Sequence, residues 1–319
     1  MEPKITDNIF GITMPKEKPK LTHFLYVPFT GLGLYGGHRG KRWLKNRIKI
    51  FKQFVVPSLE AQTNQNFILW VSWRHEDRGD TDIESLEKYL KERFDRVVFT
   101  YAGVCFWDDK YPDEVARERL LHAIQWSAGD LMNIAGETDT VLMTIQPSDD
   151  CYHKSMVNEI QTNLMNHDLD VFGYRQGYVM DYVNHRIAEW NPKTTPPFYT
   201  IKFTHRQFFN PITHLEHTGP YKSHEYVKNY LKAHYSSFRG FLVGTHGENI
   251  STIFNHPYAG GDISPEILKE FGLQDSGSLK ISFSLRKRLM RKLPHGWQRK
   301  LRYWLGERLF AKVYNWIRS

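Results

Sequence analysis

A chain of 319 residues that is 40% hydrophobic and 14% aromatic can bury one large α/β core or two modest ones. Its two cysteines, Cys105 and Cys151, cannot build a disulfide framework and lack zinc spacing, and no window approaches the roughly eighteen apolar residues of a membrane span, so a reducing cytoplasm is the expected setting. The net charge of +8 sits at one end: Lys280–Ser319 holds twelve Lys or Arg against one acid, a balance of +11, which leaves −3 on residues 1–279 and argues against a body that binds nucleic acid.

Residues 1–20 are polar, with three prolines and no apolar core of a signal peptide, and read as an arm. LTHFLYVPF (21–29) reads as a strand, TGLGLYGGHRGK as a glycine-rich loop, and RWLKNRIKIFKQFVVPSLEAQ as a helix with Leu44, Ile48, Phe51 and Val55 on one stripe. A strand in NFILWVSW, a helix in ESLEKYLKERF and a strand in DRVVFTYAG follow. DEVARERLLHAIQWSAGDLMNIAG reads as helix broken at Gly129, and TVLMTI as the fourth strand. Strands alternating with helices predict an α/β fold with a mainly parallel sheet covered on both faces, whose ligand lies beyond the carboxyl ends of the strands. Further on, YVMDY and RIAEW read as a hairpin.

The fourth strand runs directly into Ser148, Asp149 and Asp150. Adjacent carboxylates at the mouth of a crevice repel, and a hard divalent cation, Mg²⁺ or Mn²⁺, removes that repulsion. The competing reading is a helix start, with Ser148 or Asp149 as the N-cap of the segment CYHKSMVNEI.

Four stretches in order, PSLEAQTNQNFILWVSW (57–73), ARERL (116–120), QPSDD (146–150) and THGENIST (245–252), resemble the GT-A glycosyltransferases, and more narrowly a bacterial rhamnosyltransferase family. The resemblance covers about Leu21 to Asn255 and implies a nucleoside-diphosphate-sugar donor and a metal motif after the fourth strand. Two departures stand out: the second strand ends Ser72-Trp73-Arg74 where many relatives carry two aspartates, and Pro147 falls where the metal motif has its first Asp.

On that resemblance, residues 21–150 form the nucleotide-sugar half and 151–278 the acceptor half. Asp149, Asp150 and His246 are the candidate metal ligands; Arg47, Arg117, Phe29 and Ser148 are the candidate donor-binding residues. An Arg fork binds phosphate bidentately and never loses its proton, although either Arg could equally lie on a solvated helix face. Inverting transfer also needs a base for the acceptor hydroxyl: Glu225 in TGPYKSHEYV, with Asp181 on the hairpin as its rival.

Residues 279–319 form the last unit, in which Trp297, Leu301, Trp304, Leu305, Leu309, Val313, Trp316 and Ile317 fall on one helical stripe among basic residues. Such a helix either lies in an anionic membrane interface or packs its stripe on the domain. The expected protein is therefore a cytoplasmic glycosyltransferase, peripheral on the inner face of the membrane, that moves a sugar to a glycan or lipid-linked acceptor in surface-polysaccharide synthesis. A sugar-nucleotide nucleotidyltransferase, for which GLGLYGGHRGK would serve as the phosphate loop, and a non-catalytic membrane-surface or nucleic-acid-binding adaptor are the alternatives.

Overall fold

The computed structural model describes residues 20–30, 40–101, 116–220, 224–246, 249, 254–255, 258–273 and 279, with 40 and 116–119 described by backbone alone. The arm, the glycine-rich loop, Cys105 and the basic tail lie outside them.

The first half winds as expected. Strands β1 (Leu21–Val27), β2 (Ile68–Ser72), β3 (Val97–Thr100) and β4 (Thr140–Ile145) pair in parallel in the order β3-β2-β1-β4. β1 and β2 are buried along nearly their whole length, because helices cover both faces of this part of the sheet. Side chains alternate across it: Leu25, Val27, Leu69 and Val71 join one core cluster, and Phe24, Tyr26, Ile68 and Trp70 another. Helix α3 (Thr81–Lys91) starts where Asp80 accepts the N–H groups of Asp82 and Ile83, and it buries Ile83, Leu86 and Leu90.

The second half makes the sheet mixed rather than mainly parallel. β8 (Tyr199–Thr204) runs antiparallel between β4 and β6 (Val171–Asp181), so residues before and after 150 share one sheet. The predicted hairpin is present as β6 and β7 (Arg186–Trp190), with β6 longer than its sequence segment suggested. β9 (Ala233–Thr245) lies parallel to β6 and pairs with the two-residue β5 (Cys151–Tyr152), while β10 (Ala259–Asp262) forms the far edge on β7. The connections into β7 and β8 are too short for helical crossovers, which is why antiparallel pairing enters here.

Three local expectations change. The long helix after β1 is α1 (Gly40–Ile50) and α2 (Val56–Glu60) joined by a π segment, Phe51–Val55, just ahead of Pro57, which has no N–H to give the ladder. The predicted break at Gly129 falls at Ser127, between α4 (Ala116–Trp126) and α5 (Ala128–Ala135). The segment after the Asp pair enters its helix, α6 (Met156–Asn166), only after Ser155, so neither Ser148 nor Asp149 is its N-cap. The cap reading of the doublet is thereby removed.

Candidate active site

Asp149 and Asp150 lie in the turn between β4 and β5, past the carboxyl end of β4. Gln146 shapes that turn by donating its amide to the carbonyls of Pro147 and Asp150, at 2.9 and 2.8 Å. The stretch after the turn is clamped by the 57–73 segment. Ser58 donates to the Tyr152 carbonyl at 2.8 Å, Gln62 donates to that of His153 at 2.9 Å and accepts the Val157 N–H at 3.1 Å, and Thr63 N–H meets Lys154 O at 2.8 Å. The polar residues of this motif are therefore positioning residues. Their contacts lie 91 to 95 positions away and bolt α2 to the segment that carries the aspartates.

Asp149 is the centre of a buried cluster. Its carboxylate forms an ion pair with Arg47 of α1, whose side chain is 1% exposed. Arg47 also lies over the Trp43 ring, 5.3 Å from its centroid. His246, just past β9, places Nε2 3.1 Å from Asp149 Oδ2, and Asn249 Nδ2 approaches the same oxygen at 3.4 Å. An ionised carboxylate only accepts, so Nε2 carries the proton. Asn249 ties the end of β9 as well, accepting the His246 N–H at 2.7 Å and donating to Gly244 O at 2.6 Å. Burial alone would raise the Asp149 carboxyl, but Arg47, followed by His246, holds it well below the usual carboxylate range.

Asp150 is half-buried and differs sharply from its neighbour. Its Oδ1 accepts the Gly244 N–H at 2.9 Å, and Oδ2 has no partner among the described residues. Burial and the adjacent Asp149 charge push its carboxyl well above the usual range, opposed by the Gly244 N–H and Arg47. Only glycine fits at 244, because a Cβ there would collide with the Tyr182 ring and the Asp149 carbonyl. Tyr182 stacks on Phe54 at 3.7 Å and donates its hydroxyl to that carbonyl at 2.9 Å.

Of the residues singled out in the sequence, Arg47, Asp149, Asp150 and His246 converge. Ser148 is buried beside them. Phe29 does not belong to a binding surface: it is fully buried against Phe51 and Trp73. Arg117 lies in the first turn of α4, its side chain outside the described residues. Asp181 accepts the N–H groups of Val183 and Asn184 at 2.9 and 3.1 Å and the Asn184 amide at 2.6 Å, which builds the hairpin turn. Glu225 sits on a separate 3₁₀ turn, His224–Asn229, whose Val227 packs with Phe24, Tyr26 and Phe208 on the sheet face opposite Leu44 and Val55. Asn249, though part of the THGENIST segment, and Tyr182 were not picked out as site residues; only the fold brings them to Asp149.

The expected cation held jointly by Asp149, Asp150 and His246 does not fit these side chains as placed. Asp149 Oδ2 is already shared by the His246 and Asn249 donors, and the carboxylate is neutralised by a permanent cation, Arg47. The Nε2 that would bind a metal carries a proton directed at Asp149. Among the described residues, no three His, Cys, Asp or Glu side chains converge as a metal site.

The Putative rhamnosyl transferase family model matches residues 39–77, the stretch that holds α1, the π segment, α2 and β2. No curated protein matches the sequence. Similar solved structures include S. aureus TarS 1-349 in complex with UDP, 13% identical over 72% of this chain and 61% of that one, with a TM-score of 0.39. The same protein in complex with UDP-GlcNAc is 14% identical over 78% and 64%, also at 0.39. A "putative nucleotide-diphospho-sugar transferase" from Desulfovibrio desulfuricans G20 is 14% identical over 71% and 80%, at 0.30. The chain spans less than two thirds of the TarS chains, and at these TM-scores the likeness carries no statement about activity. The described residues form a mixed α/β sheet, and over residues 39–77 the chain is similar to the Putative rhamnosyl transferase family.

Proposed function

We propose that the protein transfers a sugar from a nucleoside-diphosphate donor to a hydroxyl of a glycan or lipid-linked acceptor, with inversion. The observation that carries this reading is the convergence of Arg47, Asp149, Asp150 and His246 beyond the carboxyl ends of β4 and β9, where an open α/β sheet takes its ligand.

In this mechanism the acceptor oxygen attacks the anomeric carbon, the bond from that carbon to the diphosphate oxygen breaks, and the acceptor proton passes to a carboxylate. Asp150 suits the proton. It is half-buried rather than fully enclosed, and a carboxyl raised in pKa is a better acceptor near neutral pH than an ordinary aspartate. Glu225 is the alternative base, whereas the oxygens of Asp181 are engaged in its own turn. Arg47 is too buried to reach the diphosphate. Lys41 and Arg42, exposed on the first turn of α1, offer cations beside a helix N-terminus that follows the carboxyl end of β1. Asp149 holds the turn and sets the charge beside Asp150.

Rhamnose as the transferred sugar rests on the family name alone, and a role in surface-polysaccharide synthesis on the same footing. The test is a panel of UDP-, GDP-, CDP- and dTDP-sugars incubated with the protein. Release of a nucleoside diphosphate is expected with one of them, accompanied by a thermal shift with the matching nucleotide. Release of pyrophosphate from a nucleoside triphosphate, with no donor sugar consumed, would assign the chain to nucleotidyl transfer instead.

We also propose that residues 280–319 hold the protein on anionic lipid, on the strength of their +11 charge and tryptophan-bearing stripe. The full chain is expected to float with anionic vesicles and to be released by raised salt, and a chain ending at 279 to stay behind. Equal flotation of both would end the anchor reading. No helix among the described residues is long and apolar enough to cross a membrane.

A further inference from the structure

The buried cluster around Asp149 bears on how the reaction handles charge, and the inference rests on the glycosyltransferase reading above. A carboxylate pair after the fourth strand earns its place in a metal enzyme by offering lone pairs to a cation. Here those lone pairs are directed elsewhere. Asp149 faces a guanidinium, an imidazole N–H and a side-chain amide, and Asp150 Oδ1 faces the Gly244 N–H. One oxygen of the pair, Asp150 Oδ2, is left without a partner among the described residues.

A divalent ion set between the two carboxylates would stand close to the Arg47 charge in a site where Arg47 is 1% and Asp149 8% exposed at the side chain. Like charges repel strongly there because water is too sparse to screen them. Arg47 cannot relieve this by losing its proton, and the Trp43 ring over which it lies would have to give way for it to withdraw. The π segment follows Arg47 by four residues and is packed through Phe51, Phe54 and Val55, so the guanidinium is held by a rigid part of the fold.

We propose that Arg47 takes the place of the divalent cation at Asp149, so that donor binding and sugar transfer by this protein proceed without a metal ion. The leaving diphosphate is then met by Lys41, Arg42 and the first turn of α1. In this arrangement Arg47 is a positioning residue: it fixes Asp149 and the turn that presents Asp150, and touches no substrate.

Three measurements on the full-length protein test this. Free Mn²⁺ is followed by electron paramagnetic resonance as protein is added. The wild type is expected to leave the Mn²⁺ signal unchanged. Tight binding of one Mn²⁺, lost in Asp150→Asn, would overturn the proposal. The Arg47→Ala chain, with Asp149 released from the guanidinium, is expected to gain Mn²⁺ binding; if it fails to fold, the wild-type titration still decides the matter. Nucleoside-diphosphate thermal shifts and donor turnover are then compared in EDTA and in Mn²⁺ or Mg²⁺. Turnover within about twofold across these conditions is expected, and a fall of tenfold or more in EDTA, restored by either metal, would overturn it. If no nucleotide sugar is bound or consumed under any condition, the glycosyltransferase reading fails, while the Mn²⁺ titration still decides whether the cluster holds a metal.

Discussion

Replacing Arg47 with Met is expected to destabilise the protein by about 3–5 kcal/mol, the cost of leaving one member of a buried ion pair uncompensated. Arg47 is 1% exposed and Asp149 5%, so water cannot take over the lost role. The hydrogen bonds from His246 and Asn249 remain but bring no permanent charge. The double variant Arg47→Met/Asp149→Asn is expected to recover a large part of the loss, because the unpaired charge has gone with its partner. The dependence on pH has a definite sign. Asp149 is depressed in the folded protein, so its contribution is present above the unfolded carboxylate value of about 3.9 and is lost as pH falls through the lower folded value. Without Arg47 that depression shrinks, and the acid loss of stability carried by Asp149 shrinks with it. Urea melts at pH 7 and pH 4 on the wild type and both variants measure this. A single variant as stable as the wild type at pH 7 would show that the pair contributes nothing to the fold.

Asp150→Asn is expected to do the reverse: raise the melting temperature at pH 7–8 while lowering transfer by at least about a hundredfold. The folded Asp150 carboxyl is raised above its unfolded value. Its contribution to stability is therefore complete below about pH 3.9 and declines as pH rises through the folded value, which leaves the ionised form a burden near neutrality. Asparagine keeps the shape, can still accept the Gly244 N–H, and removes the charge that Asp149 opposes. The same carboxyl, as proton acceptor, sets the acid side of the pH–rate profile, and kcat/KM is expected to rise with pH through its raised pKa. Glu225→Gln is the control, expected to melt and turn over as the wild type does. If instead Glu225→Gln is dead and Asp150→Asn is active, the base lies on the 3₁₀ turn and Asp150 is a structural residue.

Much of this protein was legible as pattern. The parallel winding of β1 to β4 follows from buried runs alternating with helical stripes, and the hairpin of β6 and β7 from two short strands around a polar turn. The His-Gly-x-Asn segment pointed to His246, which does stand at Asp149. Phe29, by contrast, had no local mark to separate a core ring from a ligand-facing one, and its full burial depends on Phe51 and Trp73 arriving from two other elements. The polar residues Ser58, Gln62 and Thr63 likewise gave no hint that their partners are carbonyls and an N–H of the segment after the Asp pair.

The sequence by itself determined the type and order of most elements and the placing of a carboxylate pair past the end of β4, because periodicity, capping and turn chemistry act over a few residues. What the pair does was decided by tertiary structure alone. Two chemically identical neighbours become a depressed and a raised carboxyl since one meets Arg47 from α1 and His246 from 97 positions on, while the other is buried beside the first one's charge, against which the N–H of Gly244 from 94 positions on offers only partial relief. Charge interactions depend on distance in space and on how little water remains between the groups, and neither quantity is written in the spacing of residues along the chain.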